Sequence, residues 1–141
     1  DYVCALDQAD LVKEGKDITI LTYSRMRHHC LKAIEQLDDC NINAELIDLI
    51  SLKPFDMKTI SKSIKKTSKV LIVEECMKTG GIAAELISLI TEECFDDLDC
   101  RPIRLSSQDI PTPYNGNLEN LTIIQPHQIV EKVKQMVNGS I

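Results

Sequence analysis

The apolar and polar positions of this chain follow two rhythms in alternation. DITILTYS, Asp17 to Ser24, is rich in β-branched residues and predicts a strand. Ser24 then stands as a plausible helix N-cap, and Met26, Cys30, Ile34 and Leu37 recur at helical spacing, which predicts a helix to about Asp39. INAELIDL, Ile42 to Leu49, predicts a second strand. SLKPFD connects it to a helix capped by Asp56, with Met57, Ile60 and Ile64 along its apolar side. KVLIVEE, Lys69 to Glu75, is apolar almost without a break, so it predicts a central strand covered on both faces. A long helix is predicted from Gly80 onward, with Ile82, Leu86, Leu89 and Ile90 inward. RPIRLSS, Arg101 to Ser107, predicts the fourth strand. QDIPTPYNGN reads as a loop, marked by Pro111, Pro113 and Asn115-Gly116. Pro126 suits the first turn of a last helix whose inward face is Ile129, Val133, Met136 and Val137.

Residues 1–16 read as a lead-in, closed by the turn signal Glu14-Gly15. The order β-α-β-α-β-α-β-loop-α predicts an α/β fold, a three-layer sandwich whose mostly parallel sheet carries helices on both faces. At 141 residues the chain is expected to be a single domain, 1–141, long enough to bury a full core. It begins DYVCALDQAD, without Met and without targeting character, which reads as a piece excised from something longer.

Charge narrows the function classes. The net charge of −6 lacks the basic footprint of a nucleic-acid binder, so no nucleic-acid partner is expected. The basic cluster SKSIKKTSK, Ser61 to Lys69, suits the solvated C-terminal end of a helix. No stretch approaches the ~20 apolar residues of a membrane span, and no membrane partner is expected. Six cysteines, at 4, 30, 40, 76, 94 and 100, form no CxxC pair; core thiols are the expectation, with Cys30 and Cys76 buried.

The candidate chemistry is sparse. Gly80-Gly81, between a strand and a helix, could meet an anion through backbone amides at a helix N-terminus. It fits neither the GxGxxG fingerprint nor a P-loop, and Glu74 and Glu75 stand at its mouth to repel a phosphate. Close packing of a helix end is the competing reading. Ser24 to Cys30, SRMRHHC, lies at the carboxyl end of the first predicted strand, where α/β sheets bind ligands. His28 and His29 point about 100° apart on a helix, so they cannot share one metal, and no further ligands are spaced to join them. No GxSxG elbow or cysteine signature is present. Glu74 and Glu75 are the natural acid–base candidates, but adjacent strand residues face opposite sides and cannot act on one atom. From the residues alone, a domain without a catalytic set of its own emerges.

Four stretches in order, DITILTYSRM, AELIDLISLKPFD, KVLIVEECMKTGGIAAEL and FDDLDCRPIRLSSQDIPTPY, resemble the C-terminal domain of the transketolase family. More closely, they are similar to the beta subunits of the thiamine-diphosphate-dependent pyruvate dehydrogenase component, from about Tyr2 to Val137. EECMKTGG, 74 to 81, looks more like the plastid and cyanobacterial subunits, and DIPTPY, 109 to 114, like the pyruvate branch. The resemblance implies a mixed sheet with an antiparallel edge strand. It implies a parent enzyme that decarboxylates pyruvate on thiamine diphosphate with magnesium and acetylates the lipoyl group of the acyltransferase. The cofactor and the catalytic residues are expected outside this domain. The implied partners are an alpha subunit and a second beta subunit, as α2β2, and the peripheral subunit-binding domain of the dihydrolipoyl acyltransferase. Asp99 matches a family acid that pairs with basic residues of that domain. Glu74, Glu75, Gly80, Gly81, Pro111, Pro113 and Tyr114 become subunit-interface candidates. The implied setting is a plastid or apicoplast-like organelle, with the mitochondrial matrix or a bacterial cytoplasm as alternatives. Two other readings stay open: a transketolase-like relative acting on branched-chain 2-oxo acids or making deoxyxylulose phosphate, and a free-standing module binding a small anion at the Ser24 helix start.

Overall fold

The structure is a computed structural model and describes residues 5–140. Cys4 and the first positions of the lead-in lie outside the described residues. Five strands form one sheet in the order β1-β3-β2-β4-β5: β1 Asp10–Lys13, β2 Ile18–Thr22, β3 Ala44–Asp48, β4 Val70–Met77 and β5 Ile103–Ser107. β2 pairs in parallel with β3 and β4, and β4 with β5; β1 alone runs antiparallel, with Leu11 opposite Ile47. The helices are α1 Met26–Asp38, α2 Met57–Thr67, α3 Ile82–Cys94, α4 Gly116–Thr122 and α5 Pro126–Val137.

The period-2 alternation of the strands builds two cores. Ile18, Ile20, Leu46, Leu71 and Val73 face α1 and α5, where Met26, Cys30, Leu37, Ile129 and Val133 are buried. Leu21, Ile47, Val70 and Ile72 face α2 and α3, where Ile60, Ile64, Leu86 and Ile90 are buried. The antiparallel strand expected at a sheet edge is β1, and the three-layer α/β reading holds.

Several boundaries move. The lead-in is not all irregular, because its last residues form β1. Ser24 does not cap α1: its backbone sits at φ 54°, and no side chain caps that helix. β4 continues two residues beyond Glu75, to Met77. The inward face of α3 is Ala83, Leu86, Ile90 and Cys94, whereas Ile82 and Leu89 are only half-buried. The loop after β5 contains α4, started by Asn115, whose side chain accepts from the amides of Asn117 and Leu118. In α5, Val130 joins the buried set and Val137 is partly buried. Cys30 and Cys94 are buried thiols, but Cys76 is exposed, since it lies on the part of β4 that runs past the covering helices.

Asp56 caps α2 as its position suggests, accepting from the Thr59 amide at 3.0 Å. Beneath α2 lies a polar network the apolar pattern does not announce. Thr19 Oγ1 lies 2.6 Å from Ser63 Oγ and 2.7 Å from Thr67 Oγ1. The buried Glu45 accepts from Ser63 Oγ, from the Gly15 amide and from Lys66 Nζ. A Cβ on Gly15 would stand 2.2 Å from the Glu45 backbone nitrogen, so only glycine lets this turn lie against β3.

Candidate functional site

In a doubly wound sheet, ligands enter at the carboxyl ends of the strands, where successive crossovers leave for opposite faces. Here that place lies between β2, which feeds α1 on one face, and β4, which feeds α3 on the other. Tyr23, Ser24 and Arg25 leave β2 there, and Glu74, Glu75 and Cys76 form the end of β4. The period of 2 sends the two glutamates to opposite sides. Glu74 is fully buried under the start of α3, and Glu75 meets Arg25, Nη1 to Oε1 at 3.2 Å, in a half-exposed ion pair.

Glu74 is satisfied by three elements. The Ala83 amide in the first turn of α3 donates to Oε2 at 3.0 Å, and Tyr23 Oη donates to the same oxygen at 3.3 Å. Ser106 Oγ on β5 donates to Oε1 at 2.7 Å. Burial first, and then the Glu74 charge, push the Tyr23 phenol well above its ordinary range, so Tyr23 stays a donor. A buried carboxylate facing a helix N-terminus is the arrangement by which α/β proteins hold a phosphate, here supplied by the chain itself.

The glycine pair follows from this. Gly80 adopts φ 75°, in the left-handed region that favours glycine. Gly81 needs its missing Cβ for space: an added Cβ would lie 2.5 Å from Glu74 Oε1 and 2.6 Å from the Met77 carbonyl oxygen. The turn is shaped around a carboxylate.

The other candidates are dispersed. Arg27 Nη1 bridges Asp10 at 2.9 Å and Asp48 at 3.1 Å, which ties α1 to the edge of the sheet. His29 Nδ1 lies 2.8 Å from the Ile124 carbonyl oxygen, and His28 is exposed. Burial pushes the Cys30 thiol up to about 12, far from a nucleophile's range. Among the described residues no three His, Cys, Asp or Glu side chains converge as a metal site. α2 is capped by Asp56 and α5 by Gln125, so their first turns are occupied as well. These residues do not fit a diphosphate with its magnesium ion.

Asp99 follows the short helical turn Phe95–Asp97, is well exposed, and pairs with Lys69 Nζ at 3.2 Å. Beside it Thr91, Phe95, Leu98, Cys100, Arg101 and Pro102 line an apolar recess of about 370 Å³, with Phe95 itself exposed. Pro111, Pro113 and Tyr114 lie in the turn before α4, and Tyr114 projects fully into solvent. This turn is pinned by Asp109, which accepts from the Thr79 amide at 2.8 Å and from Thr79 Oγ1 at 2.7 Å. Tyr23 and Ser106 escaped the sequence reading, because they stand 51 and 32 positions from the glutamate they serve and no local spacing marks them.

Known proteins resemble this chain in sequence and in fold. The chain is 61% identical over 140 residues to the pyruvate dehydrogenase E1 component subunit beta of Porphyra purpurea, covering 99% of this chain and 42% of that protein. It is 55% identical over 136 residues to the chloroplastic subunit beta-2 of Arabidopsis thaliana, covering 96% of this chain and 34% of that one. The chain thus spans about two fifths of the Porphyra relative's length. Among solved structures, an inactive beta4 tetramer of a split-gene transketolase superposes with a TM-score of 0.82 at 24% identity, over 96% of this chain and 44% of that one. The pattern of the transketolase C-terminal domain matches residues 7–129, from before β1 into α5, and the chain belongs to that family.

Proposed function

We propose that this chain is the assembly and partner-docking domain of a plastid pyruvate dehydrogenase beta subunit. The observation that carries this reading is Glu74, which fills the ligand crevice of the fold from within. With that crevice taken, the working surfaces of the domain are external. The likeness to red-algal and chloroplastic beta subunits supports the pyruvate branch and the plastid. In the parent enzyme, thiamine diphosphate and magnesium lie outside this domain and serve the decarboxylation of pyruvate and the acetylation of the acyltransferase's lipoyl group. The domain meets an alpha subunit and a second beta subunit, and Glu75, Gly80, Pro111, Pro113 and Tyr114 belong to those contacts. Glu74 and Gly81 act from inside, by shaping the turn that presents Gly80. Asp99 docks the basic peripheral subunit-binding domain of the acyltransferase, giving up Lys69 for the partner's cation beside the Phe95 recess.

Calorimetric titration of the 141-residue chain with thiamine diphosphate and magnesium tests the reading. No heat of binding from the folded chain is expected. Tight, saturable binding would overturn it and return the glycine turn to the role of a phosphate cradle. In the assembled parent enzyme, Asp99→Ala is expected to weaken acyltransferase docking while pyruvate decarboxylation persists. Unchanged docking affinity removes Asp99 from the contact.

A further inference from the structure

α2 does not reach the edge of the sheet it covers. Leu11 on β1 stands opposite Ile47 on β3, on the face below the helix, yet Ile47 is fully buried and Leu11 is 43% exposed. The strip left open between β1 and α2 is a recess of about 390 Å³. Ala9, Leu11 and Ile47 give it an apolar floor, and Thr59, Ser63 and Lys66 line its helix side. This size stands at the small end of the ~300–1,000 Å³ usual for small-molecule sites.

Some of its polar groups are already satisfied. Glu45, buried at the back, accepts from Ser63 Oγ, the Gly15 amide and Lys66 Nζ. Thr59 Oγ1 donates to Asp56 at 2.6 Å. Two charges are left over. Glu14, directly after β1, and Lys62, on α2, both line the recess and are both exposed. Among the described residues neither belongs to an ion pair. The recess therefore offers one free anion on its strand wall, one free cation on its helix wall and apolar surface between them. An aliphatic carboxylate would answer Lys62 and meet repulsion from Glu14; an aliphatic amine would do the reverse. A small molecule with both charges and a short apolar side chain answers all three surfaces at once. We propose that this recess binds an aliphatic α-amino acid as its zwitterion, with the ammonium toward Glu14, the carboxylate toward Lys62 and the side chain over Leu11 and Ile47. The inference goes beyond the assembly reading and uses none of its residues: Glu75, Gly80, Asp99, Pro111, Pro113 and Tyr114 do not line the recess.

The test is an NMR titration of the isotope-labelled 141-residue chain with L-leucine. Saturable shifts are expected at the amides of Leu11, Thr59 and Ser63, with a Kd on the order of 1 mM. Two further probes each lack one charge: isocaproate has no ammonium, and isoamylamine has no carboxylate. Each is expected to bind about fivefold more weakly than L-leucine, the most that an exposed charge pair gives. Lys62→Ala is expected to weaken L-leucine by about the same factor and to leave isoamylamine unchanged. Glu14→Gln is expected to weaken L-leucine likewise and to leave isocaproate unchanged. Both positions are exposed, so each variant is expected to fold, and circular dichroism checks this. No saturable shift at the highest soluble concentration of L-leucine overturns the proposal. So does isocaproate or isoamylamine binding as tightly as L-leucine, which would make the recess a site for that single charge. L-leucine binding that ignores both variants overturns it too, by placing the ligand elsewhere. The cofactor titration decides the proposed function separately, so either reading can fail while the other stands.

Discussion

α2 and α3 lie side by side on the same face of the same sheet, yet they are built differently. α2 buries Ile60, Ser63, Ile64 and Thr67, turns Lys58, Lys62 and Lys65 to water, and reaches back with Lys66 to the buried Glu45. Its N-terminus is closed by Asp56, an adjacent residue, and its two basic residues near the C-terminus suit the helix dipole. α3 has no side-chain cap of its own, and its first turn is held by Glu74 from a neighbouring strand. Its outer flank still carries Ile82 and Leu89. α2 is closed at its N-terminus by its own neighbour in sequence. α3 is anchored by the sheet at one end and leaves half-buried apolar side chains along its flank.

The largest effects break the long-range anchor of α3. In Gly81→Val, the new side chain collides with the Glu74 carboxylate and the Met77 carbonyl oxygen, one of them backbone that cannot give way. A loss of about 3 kcal/mol or more is expected in urea unfolding of the chain. Glu74→Ala leaves the Ala83 amide and the Ser106 hydroxyl without their acceptor inside the protein and opens a cavity, at about 3 kcal/mol. Near-normal stability in either variant would show that the crevice does not hold α3.

The anchors under α2 titrate. Burial alone would push the Glu45 carboxyl up, but Lys66, the Ser63 hydroxyl and the Gly15 amide outweigh it and hold the group below the ordinary glutamate range. Asp56 is likewise pushed up by burial and brought down further by the Thr59 hydroxyl and amide and by the Ala9 amide. A carboxyl with a lowered folded pKa gives its full stabilisation above its unfolded pKa of about 4 and loses it as pH falls through the folded value. Acid is therefore expected to loosen α2, with stability declining from about pH 4.5 downward. Glu45→Gln is expected to flatten that part of the pH–stability curve. A curve of unchanged slope would remove Glu45 from the acid response.

At the level of caps, Asp56→Ala is expected to cost about 1 kcal/mol, a third of the Glu74 effect, because its cap is local and partly solvated. Equal costs at Asp56 and Glu74 would erase the distinction between the two helices.

This ranking also explains what could be read along the chain. Short β-branched and apolar runs located β2, β3, β4 and β5, and the spacing of Ile60 and Ile64 with Asp56 located α2 with its cap, because these features are local. β1 was missed as a strand because its four residues, Asp10 to Lys13, alternate weakly and gain their pairing only from β3. α4 was hidden by the prolines and the Asn-Gly turn before it, and it buries none of its own residues. Ser24 has the chemistry of a cap, but the chain passes it at a positive φ, which no side-chain pattern reveals. Ile82 and Leu89 share the apolar character of the inward stripe, so periodicity alone could not separate the face that meets the sheet from the face that does not. The glycine pair was visible as a special turn; its occupant was not, because Tyr23 and Ser106 reach Glu74 from other strands.

The smallest effects sharpen the comparison most, because they weigh the outer faces of the two helices away from their anchors. Lys62 on α2 is exposed, and Lys62→Ala is expected to change stability by less than about 0.5 kcal/mol. Leu89→Ser on α3 removes a half-buried side chain and is expected to cost the single chain about 1 kcal/mol, since its inner neighbours Leu86 and Ile90 still hold the helix to the sheet. This loss is expected to exceed that of Lys62→Ala in urea unfolding, because Leu89 is half-buried and Lys62 is exposed. If the outer flank of α3 carried no more weight than the exposed face of α2, both variants would unfold alike. A measurable loss in Leu89→Ser beside none in Lys62→Ala would locate the difference between the two helices on this flank.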